Sequence, residues 1–302
     1  MKRSDQLYSK KTGYDKPNYL RGGPAQTRII GGTAARPKNI MTIKKQAWIQ
    51  IAVYFVIATA LSGVFRFGLF GWYNNMSLPF GLTFLVKTLL EGIGPIAGAL
   101  VILTIVNKKS SITLLGTQPK KSLIMAIVPV LLFTFFGANN DLNLNRHYYG
   151  FIIGIATVIY GIFEEYGWRG FLHNELIELK RLHKSLIIGV IWYVWHLSFI
   201  SQSTTLLNEL IFFGIIVFGS WGIGVIAEKT KSIIACACFH ILGNILFLSP
   251  QIATTMNNQA RYIIFGICLI AWIYIVNIWH KKSADISTGA LPKTGACLHD
   301  AK

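Results

Sequence analysis

The stretch Phe80–Lys109, FGLTFLVKTLLEGIGPIAGALVILTIVNKK, decides the fold class. Between Leu82 and Val106 it holds two charged side chains, Lys87 and Glu91, and it ends on Lys108 and Lys109. As a helix, that run is about 38 Å long at 1.5 Å per residue, enough to cross the roughly 30 Å hydrocarbon core of a bilayer. Working outward, the pattern repeats along the chain. Apolar runs near 47–70, 80–106, 122–138, 148–166, 185–201, 207–227, 232–249 and 261–280 alternate with short basic clusters. The expectation is an all-α, polytopic membrane protein with about eight transmembrane helices in a bundle.

Composition agrees. The 302-residue chain is 53% hydrophobic and only 14% charged, against about a quarter charged in soluble domains. Its formal charge of +17 is not spread as a nucleic-acid binder's would be. Basic residues gather at the ends of apolar runs and in the first 45 positions, where they read as topology signals and contacts to anionic lipid. No nucleic-acid partner is expected, and the bilayer is. Residues 1–46 read as a basic, disordered cytoplasmic arm, 47–282 as the helical domain with its core at 148–249, and 283–302 as a disordered tail. No cleavable signal peptide is visible, and Met41 offers an alternative start.

Lys44, Lys45, Lys108, Lys109, Lys120, Lys121, Arg169, Lys180, Arg181, Lys184, Lys229, Lys231, Lys281 and Lys282 all fall on one side of an eight-span topology. The positive-inside rule then puts both termini in the cytoplasm of a multi-pass protein in the cell membrane. Trp72, Tyr73, Tyr148, Tyr149 and Trp279 stand where interfacial aromatics are expected. Gly94-x-x-x-Gly98 and Gly150-x-x-x-Gly154 read as close helix packing. Cys236, Cys238 and Cys268 lie in apolar runs and Cys297 in the tail, with no disulfide or zinc-knuckle spacing. Leu291-Pro292-Lys293-Thr294-Gly295 matches a sortase signal, but only seven residues follow it, so it reads as chance or an attached tag.

Ionisable side chains within spans are costly and mark function by default. Arg66, Lys87 and Glu91 are expected to pair between the first two spans. In Phe163-Glu164-Glu165-Tyr166-Gly167-Trp168-Arg169, a helix puts Glu165 and Arg169 on one face, able to pair, and turns Glu164 about 100° away. Glu164, without a cation of its own, is a candidate general base for water. Alone, the cluster also reads as a charged helix end. His196 follows Trp192-Tyr193-Val194-Trp195 and reads either as a packing residue or as a site residue. His240 and Asn244 lie one turn apart, suiting an interhelical hydrogen bond or an amide donor for an oxyanion.

Taken together, Glu-Glu-x-x-x-Arg, aromatic-x-x-x-His and His-x-x-x-Asn, in that order on three spans, resemble the three motifs of the CPBP family, the CAAX-protease and bacteriocin-processing (Abi) intramembrane proteases. The match covers the region from Glu164 to Asn244. The second motif starts at Trp192 where the family pattern usually has Phe, and both rings are expected to serve packing. The resemblance implies an intramembrane endopeptidase in which Glu164 activates water, His196 orients it or shares its proton, and His240 and Asn244 hold the oxyanion, with Glu165 and Arg169 in support. It implies a membrane-associated peptide or protein substrate. Eukaryotic members remove the last three residues of prenylated proteins, and bacterial members are linked to bacteriocin self-immunity and peptide maturation. The Lys-, Ile- and Asn-rich composition suggests a bacterial plasma membrane. No metal cofactor is expected. Two His and a Glu could form a zinc site, but His-Glu-x-x-His is absent. A non-catalytic membrane protein that confers bacteriocin immunity by binding, or acts as a scaffold, is the alternative. A transporter is weaker still, because no internal repeat is visible.

Overall fold

The computed structural model describes residues 45–200 and 204–280, all within the compact unit Met41–Lys302. The amino-terminal arm, Lys281 and Lys282, the tail with its sortase-like pentapeptide, and Cys297 lie outside the described residues.

Eight helices of eleven residues or more follow one another: α1 Lys45–Arg66, α2 Leu82–Val106, α3 Pro119–Phe136, α4 Arg146–Glu165, α5 Arg181–His196, α6 Leu206–Thr230, α7 Ile233–Gly243 and α8 Asn258–Asn277. The only extended pairing among the described residues is a bridge between Thr113 and Ser232. Among the described residues, six segments are long and apolar enough to cross a membrane: α1, Pro79–Val106, α3, Arg146–Glu175, α6 and α8. The chain is thus an all-α, multi-pass membrane protein. The other two expected spans are shorter helices. At 1.5 Å per residue, α5 is about 24 Å long and α7 about 16 Å. Local chemistry sets several boundaries. Asn145, Thr205, Ser232 and Asn257 each accept a backbone N–H in the first turn of the helix that follows.

The fourth expected span, 148–166, is extended by the structure. Beyond Glu165 the chain continues in a π-helical turn, Tyr166–Leu172, and then His173–Glu175. Glu164 therefore lies well inside a 30-residue rod rather than at a helix end. A second π-helical turn, Asn244–Leu248, continues α7. Such turns often occur at functional sites because they re-aim side chains.

α4 is the hub, packed by α2, α3 and α7, while α1 lies on α2 and α5 on α6. The small-residue pairs carry two of these contacts. A Cβ on Gly94 would overlap the Ala58 carbonyl of α1, and one on Gly98 would stand 3.1 Å from the Tyr54 carbonyl oxygen. Gly150 meets the Phe133 carbonyl of α3, and Gly154 would stand 2.9 Å from Val130 Cα. Cys236, Cys238 and Cys268 are buried among apolar side chains as free thiols.

The basic segments do share one face. Lys108 pairs with Glu175 (2.6 Å), Thr113 N–H bonds the Lys231 carbonyl (2.9 Å), Arg181 and Lys184 both pair with Glu228, and His280 meets the Lys229 carbonyl. The opposite face gathers 79–81, 137–149 and 249–261, tied by Asn139 N–H to the Thr255 carbonyl and the Tyr148 hydroxyl to the Phe80 carbonyl. Trp72 and Tyr148 are exposed, as interfacial anchors should be. Tyr73, Tyr149 and Trp279 are instead buried. The Trp279 indole donates to Thr117 Oγ1 and the Tyr73 hydroxyl to Glu91, so these two tie the bundle together.

Candidate active site

Three motif residues, Glu164, His196 and Asn244, line one cavity of about 390 Å³. Glu164 is the next-to-last residue of α4, inside the rod that the π-helical turn continues, His196 is the last residue of α5, and Asn244 follows α7. The two short helices explain the meeting. Each stops partway across the bundle, so its terminal residue reaches the level of Glu164. Leu197, with φ of 57°, takes a left-handed conformation that ends α5 at His196.

The two adjacent glutamates have different surroundings, as their helical offset predicts. Glu165 and Arg169 are fully buried and paired at 2.9 Å. The same oxygen, Glu165 Oε1, accepts from His240 Nδ1 at 2.7 Å. Arg169 also donates to the Ser220 carbonyl of α6 (3.4 Å) and lies 5.0 Å from the centre of the Trp192 ring. This cluster ties α4 to α6 and α7.

Glu164 has no Lys or Arg within ion-pair distance among the described residues. Its Oε2 accepts two indole N–H bonds, from Trp168 (3.1 Å) and Trp192 (2.9 Å), with His240 Nε2 at 3.9 Å. Its Oε1 makes no hydrogen bond of good geometry, and the Tyr160 hydroxyl is its polar neighbour one turn back. One carboxylate oxygen is thus fixed and the other is left for a ligand.

His196 Nδ1 bonds the Trp192 carbonyl at 2.8 Å. A carbonyl can only accept, so Nδ1 carries the proton and a neutral ring keeps its lone pair on Nε2. His240 does not line the polar cavity. It sits behind Glu164, its ring 5.0 Å from that of Trp192, and borders an apolar cavity of about 510 Å³ flanked by α6 and α7.

Trp192, expected to serve packing, is a hydrogen-bond donor to Glu164, a contact that Phe could not make. Arg66, Lys87 and Glu91 do not pair with one another as expected. Arg66 donates to the Trp195 carbonyl and the Tyr160 hydroxyl, Glu91 accepts from Tyr73, and Lys87 donates to the Asn74 carbonyl. Arg66, Glu91 and Tyr160 line the cavity with Glu164. Sequence reasoning missed Trp168, Trp192 and Tyr160 as site residues. Trp168 and Tyr160 carried a signal, lying four residues to either side of Glu164, on its helical face. Among the described residues, no three His, Cys, Asp or Glu side chains are grouped as metal ligands would be.

The fold and the site define a helical membrane protein with a buried carboxylate poised at an internal cavity. Residues 146–246 match the family described as type II CAAX prenyl endopeptidase Rce1-like, so the motif-bearing region is similar to the proteins that its three motifs resemble. The chain is similar to a CAAX prenyl protease 2 of Methanococcus maripaludis, with 29% identity over 131 residues, 40% of this chain and 46% of that protein. It thus spans less than half the length of this curated relative. No solved structure gives a significant match.

Proposed function

We propose that this chain is an intramembrane endopeptidase that hydrolyses a peptide bond of a membrane-associated peptide or protein with a water activated by Glu164. The observation that carries the reading is the division of labour within Glu164. Two indoles hold one oxygen while the other, with the Tyr160 hydroxyl as its polar neighbour, faces a cavity shared with His196 and Asn244. A carboxylate so held takes a proton from water as the water oxygen attacks the scissile carbonyl carbon. The carbonyl oxygen becomes an oxyanion, to which the Asn244 amide donates. His240, anchored to Glu165 through Nδ1, presents Nε2 to the Glu164 side of the site. The proton on Glu164 then passes to the leaving amine as the C–N bond breaks, with His196 Nε2 positioned to relay it. Water, Glu164, His196 and Asn244 suffice for this scheme, and no metal is invoked.

Access follows from the placement of the cavity. Its walls include Arg66, Phe84, Thr88, Ser249, Pro250 and Ile252, all on the half of the bundle away from the basic face. Along the rod Glu164 stands nearer Glu175, on the basic face, than Arg146, and the cavity reaches it from the opposite half. With the basic face in the cytoplasm, the substrate arrives from the extracytoplasmic side, which suits a role in bacteriocin self-immunity or in the maturation of an exported peptide.

The test compares membrane-associated peptides in cells carrying the wild type and the Glu164→Gln form. A peptide shortened only by the wild type supports proteolysis. Identical peptide sets, with cells protected equally by both forms, would favour immunity by binding instead.

A further inference from the structure

Arg66 lies outside the three motifs and outside the matched family region, on a different helix from any of them. It is the last residue of α1, where an arginine in a membrane protein ordinarily extends toward the water beyond the bilayer. Here it turns inward. Its guanidinium stacks on the Trp195 ring, 3.6 Å from the ring centre, and donates to the Trp195 carbonyl (3.1 Å) and the Tyr160 hydroxyl (3.3 Å). These contacts hold the group flat in the cavity wall and use two of its five N–H bonds.

What it lacks is an anion. Among the described residues, no carboxylate lies within 4.0 Å of Arg66. Glu91, in the same cavity, instead accepts from the Tyr73 hydroxyl. Arg66 is a fixed, always-charged, half-buried donor in the cavity wall, and Glu164, the carboxylate it faces across the Tyr160 hydroxyl, stands beyond ion-pair distance. We propose that Arg66 is a specificity residue that binds a carboxylate of the substrate peptide through its remaining N–H bonds, seating the scissile bond beside Glu164. A guanidinium and a carboxylate match in planar two-bond geometry. A cavity of about 390 Å³ has room for a chain end, and the terminal carboxylate is the one anion that every peptide carries whatever its sequence, which favours it over an Asp or Glu side chain. The inference rests on the endopeptidase reading for the identity of the ligand, and its test does not require turnover.

Three forms of one dansyl-labelled apolar peptide serve as probes: a free terminal carboxylate, a terminal carboxamide, and a carboxamide with Asp as the last residue. Binding is measured in detergent micelles to the full-length Glu164→Gln protein, with and without Arg66→Gln or Arg66→Lys, after each variant is shown to melt as its parent does. The free acid is expected to bind at least about tenfold more tightly than the carboxamide. Arg66→Gln should abolish that preference, and Arg66→Lys should keep part of it. Equal binding of acid and carboxamide, including no binding of either, or a preference that survives Arg66→Gln, overturns the proposal. If Arg66→Gln fails to fold, the acid–carboxamide comparison in the parent and the Lys variant still decides. Preference for the Asp form over the free acid would overturn the terminal assignment. Cleavage with the Glu164-bearing protein is read in parallel. Acid preference without cleavage would retire the endopeptidase reading and leave the carboxylate site standing. Cleavage of acid and carboxamide reduced equally by Arg66→Gln would mean that Arg66 acts only through the field at Glu164, which overturns the specificity role.

Discussion

Replacing Glu164 and Glu165 one at a time by Gln should give opposite results for stability, although the residues are neighbours and both fully buried. In Glu165→Gln the charge opposite Arg169 disappears. The guanidinium is 0% exposed and keeps only neutral acceptors, the Ser220 carbonyl at 3.4 Å and the oxygen of the new amide. His240 Nδ1 also loses its charged acceptor at 2.7 Å. Removing one partner of a buried pair costs about 3–5 kcal/mol, chiefly because the other charge is left uncompensated. In Glu164→Gln the amide oxygen can occupy the Oε2 position and still accept from Trp168 and Trp192, while the amide nitrogen replaces an oxygen whose polar neighbour, the Tyr160 hydroxyl, can accept from it. No Lys or Arg is orphaned, so the change should stay within about 1 kcal/mol. The difference between the variants is then at least about 2 kcal/mol, some thirtyfold in the unfolding equilibrium. Reversible unfolding in mixed micelles, followed by tryptophan fluorescence, measures it. Adding Arg169→Gln to Glu165→Gln should cost much less than the sum of the single changes. Equal destabilisation by the two Gln variants, or a neutral Glu165→Gln, would refute the assignment of one glutamate to the structure and the other to the cavity.

Trp192→Phe keeps an aromatic ring but removes the 2.9 Å bond to Glu164, so proteolysis should fall about tenfold with little loss of stability, read by the same unfolding assay and by cleavage rate. Gly167→Ala should destabilise by about 1–3 kcal/mol, because its Cβ would stand 2.7 Å from Pro95 Cβ and 2.8 Å from the Pro95 carbonyl oxygen, whereas Gly170→Ala, with its nearest neighbour at 3.4 Å, should be tolerated. In a background lacking Cys236, Cys238, Cys268 and Cys297, single cysteines at Ser111, Lys180 and Asn257 test the orientation. An impermeant thiol reagent on intact cells should label only the Asn257 position, and labelling at Ser111 or Lys180 would invert the account of access. Cleavage should persist after treatment with a strong zinc chelator, and its loss with recovery on adding zinc would contradict the metal-free scheme.

The helices were legible because their signal is local. A run such as Leu82–Val106 declares itself by length and by the lysines that end it. The split between Glu164 and Glu165 was legible for the same reason, since it follows from helical offset alone. The end of α4 was misread because Glu164, Glu165, Gly167 and Arg169 together look like a charged, glycine-bearing helix end. In the fold Glu165 and Arg169 satisfy one another inside the bundle, and Gly167 is there because Tyr54 and Pro95 press against it. Trp192 and Arg66 could not be read at all. The indole of Trp192 meets a carboxylate 28 positions away, and Arg66 bonds a carbonyl 129 positions away. No periodicity within either helix encodes such partners.

The most direct test of the central claim uses purified protein in liposomes, incubated in heavy-oxygen water with the peptide that disappears in wild-type cells. The account predicts two fragments whose masses sum to the parent plus one water, with heavy oxygen in the new carboxylate, and no fragments from the Glu164→Gln protein, which remains folded. Fragments released at an undiminished rate by Glu164→Gln would contradict it.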